Sequence, residues 1–235
     1  MSTEFLSRLL QATTAQMQVN MLNTSEAGFK PNQAGFIMVS SVFNWFIDPP
    51  VSPAARTEHS IELLSQGHFV AFDFETANNS RASACQLGLV VFNEGREARH
   101  FVSLIKPMVP GFMHTGIHGI GPEQVRNAPT FREVYEQVAR DLWSLPWVAH
   151  NMPFDFGVLK ACLAANHLTL PTIGRMCTVQ ASKQALVLPN YRLSTVADYF
   201  RLPLNHHEAL SDARACGNIA SNLLGRVDLK RLVKV

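Results

Sequence analysis

Residues 69–77, Phe69-Val70-Ala71-Phe72-Asp73-Phe74-Glu75-Thr76-Ala77, decide how this chain folds. The stretch is apolar, of strand length, and carries two carboxylates near its end. Alternate residues of a strand point to opposite faces, so Phe72 and Phe74 fall on one face and Asp73 and Glu75 on the other. Outward from it, QLGLVVF (86–92) and RHFVSLI (99–105) read as two more strands. Asn93-Glu94-Gly95-Arg96 suits the hairpin between them, and three antiparallel strands follow.

Farther on the period changes. Pro129 blocks earlier helix, and Thr130 with Glu133 has capping-box spacing, which predicts a helix over Phe131–Trp143. Trp147–His150 reads as a short buried strand and Phe154–Asn166 as a helix with Asp155 in its first turn, where the helix dipole favours a carboxylate. A strand at Arg175–Val179 and helices at Ser194–Phe200 and Leu210–Gly225 complete the pattern, the last with Asp212 near its start. The fold class expected is α/β, a mixed sheet flanked by helices.

The bulk numbers set limits. A chain of 235 residues holds one domain and an appendage, and 47% hydrophobic with 16% charged residues excludes a disordered chain. Residues 1–66 differ in composition and end in Asp48-Pro49-Pro50 and Pro53, so they read as an N-terminal extension; 67–227 form the main domain and 228–235 a short basic tail. A net charge of +2 permits a nucleic-acid partner without identifying one. Arg226, Lys230, Arg231 and Lys234 read as a solvated helix end before they read as phosphate contacts. Cys85, Cys162, Cys177 and Cys216 form no C-x-x-C pair and are expected as reduced, structural thiols in a cytoplasmic protein. The longest apolar stretch, Gly35–Ile47, is broken by Ser40, Ser41 and Asn44, so neither a membrane anchor nor a signal peptide is expected. Phosphate-loop, dinucleotide-binding, zinc-protease and serine-hydrolase motifs are all absent from the sequence.

Three clusters carry chemistry. Asp73-x-Glu75 alone is weak, since a chain with this many Asp and Glu yields about 0.3 such patterns by chance. Asp155 follows His150-Asn151 at the end of a buried strand, where polar groups need partners or a ligand. His207-x-Ala209-x-x-Asp212 places an imidazole before a helix and a carboxylate in its first turn, and a near-neutral pKa suits proton abstraction from water. His206 is the weaker alternative for the base, being one residue out of that pattern. Four carboxylates and an imidazole together point to metal-dependent hydrolysis of a phosphodiester.

In this order, FDFETA, AHNMPFDFGVL and HHEALSDA resemble the three motifs of the DEDDh family, the RNase H-like 3′–5′ exonucleases typified by the proofreading epsilon subunit of bacterial DNA polymerase III. IHGIGPEQVRNAPTF and YRLSTVADYF are similar to the family's intervening segments. The resemblance spans about Phe69–Leu224. It implies two divalent cations, Mg²⁺ with Mn²⁺ as a substitute. Asp73, Glu75 and Asp212 would serve one ion, Asp73 and Asp155 the second, with His207 as general base. Thr76, Ala77, His118, Ile120, Asn151 and Phe154 would border the terminal nucleotide. The implied activity is removal of 5′-mononucleotides from 3′ ends of single-stranded DNA. An exoribonuclease on the same scaffold is the first alternative and a non-catalytic nucleic-acid-binding module the second. The partners implied are 3′ ends of DNA or RNA and a DNA polymerase or repair complex. Residues 1–66 have no counterpart in the family's catalytic domain, and nothing resembles the C-terminal tether to a polymerase, so a standalone nuclease is an equal expectation.

Overall fold

The strand expected over residues 69–77 is β1, Phe69–Thr76, and it lies at the centre of a five-stranded sheet. The structure is a computed structural model and describes residues 52–235; the extension read over 1–66 therefore lies, through Val51, outside the described residues. β2 (Ala84–Asn93) and β3 (Arg96–Leu104) follow as antiparallel neighbours. Their hairpin turns at Glu94 (φ 52°) and Gly95 (φ 73°), and two positive φ values in a two-residue loop are the conformation that matches strand twist. β4 (Trp147–Ala149) and β5 (Arg175–Cys177) add in parallel on the other side, giving the order β3-β2-β1-β4-β5. The mixed sheet and its flanking helices make up the RNase H-like α/β architecture expected from the sequence.

The helices, in chain order, are α1 (Pro53–Ser65), α2 (Thr115–His118), α3 (Pro122–Val125), α4 (Phe131–Ser144), α5 (Met152–Ala165), α6 (Thr178–Ala185), α7 (Leu193–Tyr199), α8 (Ala209–Leu223) and α9 (Leu229–Leu232). The capping box at the start of α4 forms as read: Glu133 N donates to Thr130 Oγ1, and Thr130 N donates to Glu133 Oε2 at 2.7 Å. The strand read over Arg175–Val179 stops at Cys177, where α6 begins.

The compact unit begins at Ser52, upstream of residue 67 where the main domain was read. Ser52 caps α1, Pro53 starts it, and Leu64 is buried in the core. Gly174 N donates to Ser60 Oγ at 3.0 Å, and a Cβ on Gly174 would lie 2.3 Å from Ser60 Cβ, so only glycine lets α1 sit this close. At the other end Val233 is buried and Lys234 pairs with Arg175 in an antiparallel bridge, which docks the C-terminal residues on β5.

The sheet's two faces are packed differently. Val70, Phe72, Phe74, Leu87, Leu89 and Val91 meet α4 and α5 in a core rich in large side chains. On the other face Phe69, Ala71, Val90 and Phe92 meet Ala213, Cys216 and Ala220 of α8. Asp73 and Glu75 share the odd-numbered face of β1 with Phe69 and Ala71, and so look toward α8.

Candidate active site

In the β1–β2 register Asp73 stands opposite Gly88, and Glu75 opposite Gln86. A Cβ on Gly88 would lie 2.2 Å from the Ala209 carbonyl and 2.4 Å from Leu210 N. The missing side chain is thus the space the start of α8 occupies, directly beside Asp73. Gln86 Oε1 accepts from Ala209 N at 3.3 Å and ties the same turn down from the next position. Lower on the helix a Cβ on Gly217 would lie 2.1 Å from the Phe92 ring, so the close approach runs along α8.

Glu208 caps α8, its carboxylate accepting from Leu210 N and Ser211 N at 3.2 and 2.9 Å. Asp212 follows in the first turn, only 4% exposed. Its Oδ2 accepts from His206 Nδ1 at 3.0 Å and from His207 N at 3.1 Å, whereas Oδ1 is buried with no hydrogen-bond partner. Ligand atoms of Asp73, Glu75 and Asp212 all lie within 4.8 Å of one another.

Asp155 reaches the cluster from the opposite face. Asn151, at φ 73°, turns the chain from β4 into α5 and places Asp155 in the helix's first turn. β4 ends at Ala149 and pairs with β1 only at Val70 and Ala71, which leaves the Phe74 N–H free to donate to Asp155 Oδ1 at 3.1 Å. The structure therefore gathers carboxylates from three segments distant in sequence.

Their like charges repel one another. Burial, then Asp155, Asp212 and Glu75, push the Asp73 carboxyl well above its ordinary value. Glu75 is pushed up to about 8 by burial and then by Asp212, Asp155 and Glu208. Burial also raises Asp155, against the Phe74 N–H and the Arg81 charge, and raises Asp212, against its bonds from His207 and His206. Repulsion of this kind is relieved by a cation. The donor set is oxygen only, and Asp212 Oδ1 is a buried acceptor without a partner, so the residues fit a hard divalent ion.

The remaining sequence-read residues have defined places. Thr76, the last residue of β1, and Ala77 just after it are buried, and Thr76 O accepts from His118 Nε2 at 3.1 Å. His118 Nδ1 in turn accepts from Ile120 N at 3.1 Å, which makes Nε2 the protonated nitrogen; His118 thus clamps the end of β1 to the loop carrying Ile120. Burial lowers its pKa, consistent with a neutral ring. Phe154 packs at the margin of the large core, with the Arg81 guanidinium 4.2 Å from its ring centre. Asn151 is exposed and makes no side-chain cap bond. His207 is exposed, sits at φ 70°, and stacks its ring on His206 at 3.9 Å between centres.

Gly88, Gln86 and Glu208 also build the site, and none of them is among the candidate residues read from the sequence. Gly88 in an apolar strand is a recognisable sign of close backbone approach, and Glu208 immediately before a helix is a recognisable cap. His206, the weaker alternative for the base by pattern, is the one whose ring is hydrogen-bonded to Asp212.

A five-stranded mixed sheet whose central strand ends among convergent carboxylates defines an RNase H-like nuclease domain. The exonuclease family profile matches residues 70–220, and the chain belongs to this family as a DEDDh 3′–5′ exonuclease domain. A DNA polymerase III of PolC type from Caldanaerobacter subterraneus subsp. tengcongensis is 29% identical over 171 residues, 71% of this chain and 12% of that protein. The 3′–5′ exonuclease DinG of Bacillus subtilis is 31% identical over 175 residues, 70% of this chain and 18% of that protein. This chain thus spans less than a fifth of the length of either relative. Among solved structures, exonuclease X in complex with 5′-overhanging duplex DNA aligns with a TM-score of 0.58 at 18% identity, over 70% of this chain and 96% of that one. Among the described residues no helix is long and apolar enough to cross a membrane.

Proposed function

We propose that this protein is a divalent-cation-dependent exonuclease that shortens single-stranded DNA from the 3′ end and releases 5′-mononucleotides. The observation that carries this reading is the convergence of Asp73, Glu75 and Asp212 oxygens within 4.8 Å, with buried Asp155 raising the repulsion among them. Asp73, Glu75 and Asp212 would hold one cation, and Asp73 with Asp155 a second, Mg²⁺ or Mn²⁺. Two bound ions would polarise the phosphodiester and offset charge developing on the leaving 3′ oxygen.

The chain's own residues do the rest. His207, exposed beside Asp212, accepts the proton of the attacking water and returns it to solvent. His118 holds Thr76 through its carbonyl and fixes the floor on which Thr76, Ala77 and Ile120 meet the terminal nucleotide. Asn151 and Phe154 border the cleft at the start of α5, where Arg81 stacked on Phe154 offers a positive charge to the phosphate backbone.

A purified-protein assay on 5′-labelled oligonucleotides, DNA and RNA in parallel, tests this. Stepwise 3′ shortening that requires Mg²⁺ or Mn²⁺ and runs faster on DNA is expected. Internal cuts, loss from the 5′ end or activity in EDTA overturns the nuclease assignment, and faster RNA shortening overturns the sugar preference alone.

A further inference from the structure

Asp212 belongs to two ligand groups at once. It forms one with Asp73 and Glu75 and the other with His206 and His207; in each group the three ligand atoms are within 4.8 Å of one another. Their chemistry differs. Three carboxylates suit hard ions such as Mg²⁺, whereas two imidazoles and one carboxylate suit Zn²⁺ and its neighbours in the transition series.

The histidine group is already partly organised. His206 Nδ1 and the His207 backbone N–H both donate to Asp212 Oδ2, at 3.0 and 3.1 Å, and the two rings stack 17° from parallel. The carboxylate they share is 4% exposed, and its other oxygen is buried without a partner, so its position is set by the fold and not by solvent. Tetrahedral zinc, with bonds of about 2.0–2.2 Å, needs ligand atoms about 3.4 Å apart. The His206 nitrogen would move out by a few tenths of an ångström, and its side chain, 43% exposed, has room to do so; the His207 ring, exposed and stacked on His206, would turn out of the stack so that its in-plane lone pair meets the same ion. The ion would take the place of the proton now shared between His206 Nδ1 and Asp212 Oδ2, and that proton would leave to solvent.

We propose that His206, His207 and Asp212 form a second metal site of zinc type, with three protein ligands and an open fourth position, and that filling it stops hydrolysis. Inhibition follows because one ion engages Asp212 and the His207 ring together; this half rests on the role given to His207 above, the binding half does not.

The test uses the full chain in millimolar Mg²⁺, with Co²⁺ as a visible-absorption probe and Zn²⁺ in calorimetric titration. One tight equivalent with a four-coordinate Co²⁺ spectrum is expected. Asp73→Asn should retain it, and His206→Gln, which removes the imidazole but keeps a polar side chain, should weaken it by about tenfold or more, since loss of even a group that only supports a ligand costs that much. Unchanged affinity in His206→Gln overturns the site. Zinc lost in Asp73→Asn and kept in His206→Gln also overturns it, placing the ion among the carboxylates. In the nuclease assay the half-inhibitory Zn²⁺ concentration, each variant measured against its own uninhibited rate, should rise about tenfold in His206→Gln. Zinc bound at the histidines with hydrolysis unaffected overturns the inhibitory half. Were Mg²⁺ to support no hydrolysis at all, the proposed function would fail while the Co²⁺ spectrum still decided the site.

Discussion

The two faces of the β-sheet solve opposite problems. The face under α4 and α5 is filled by Phe72, Phe74, Leu87, Leu89, Phe131 and Leu159, bulky side chains that hold helices away from the strands and bury much apolar area. The face under α8 uses Gly88, Gly217, Ala213 and Ala220 at the contact, so the helix backbone comes down onto the strands. Bulk gives stability on the first face. Its absence on the second gives proximity, and proximity is what sets Asp212 beside Asp73 and Glu75. One sheet thus separates the residues that hold the fold from those that crowd charge together.

The largest break in that comparison is Asp73→Asn. We expect exonuclease turnover to fall by about a thousandfold, some 4 kcal/mol of transition-state stabilisation. Metal-free stability should not fall, because the raised pKa of Asp73 means that its ionised form opposes folding at neutral pH. Thermal unfolding in EDTA measures this; a lower melting temperature would show that Asp73 supports the fold.

Next comes a matched pair on adjacent residues of β2. Leu89→Ala, at a fully buried position on the bulky face, should cost about 2–5 kcal/mol in urea unfolding while turnover per folded molecule holds. Gly88→Ala places a methyl 2.2 Å from the Ala209 carbonyl and should cost about 1–3 kcal/mol of overpacking. It should also cut turnover per folded molecule severely, since α8 must back away. Equal effects of the two substitutions on turnover would erase the distinction between the faces.

A smaller effect depends on pH. Burial holds His150 neutral, with its pKa lowered from 6.5 to about 4. Its Nε2–H donates to Tyr191 O at 3.0 Å, and its Nδ1 accepts from the Thr178 hydroxyl at 2.9 Å. Below pH 6.5 the unfolded chain takes up a proton that the folded chain refuses, so this residue's contribution is lost as pH falls from 6.5 toward 4, by about 3 kcal/mol at most. The carboxylates shift stability the other way over that range, so the useful quantity is a difference. His150→Gln should lose less stability than the wild type between pH 7 and pH 5, by urea midpoints, and parallel losses would contradict the assignment.

The smallest expected change is Thr130→Ala. Losing the cap of α4 should cost about 1 kcal/mol and leave turnover alone, because α4 serves only the bulky face.

Much of this was legible locally. The alternation Phe72-Asp73-Phe74-Glu75 assigns aromatics and carboxylates to opposite faces, and Thr130 with Glu133 marks where α4 starts, because both signals act over two to four residues. Other features were not. The strand read through Val179 yields to α6 at Thr178, and β3 begins at Arg96, ahead of the apolar run that marked it, because pairing with β2 imposes strand on polar residues. Helix α1 hides in the proline-bearing stretch that read as part of the N-terminal extension, since the partner of its Ser60, Gly174, lies 114 residues away.

What the amino-acid order alone determined is a set of local preferences: strand period, helix starts, a tight hairpin, and five acid–base residues in three short motifs. Tertiary structure decided which of those residues meet. Asp73 finds Asp212 only because Gly88 leaves room for α8, and Asp155 finds the cluster only because β4 stops short of Phe74. It also decided that His206 and not His207 presents its ring nitrogen to Asp212 Oδ2. The physical reason is range: dihedral and capping preferences act within a turn or two of the chain, whereas burial, repulsion and ligand geometry are set by backbone packing between segments about a hundred residues apart.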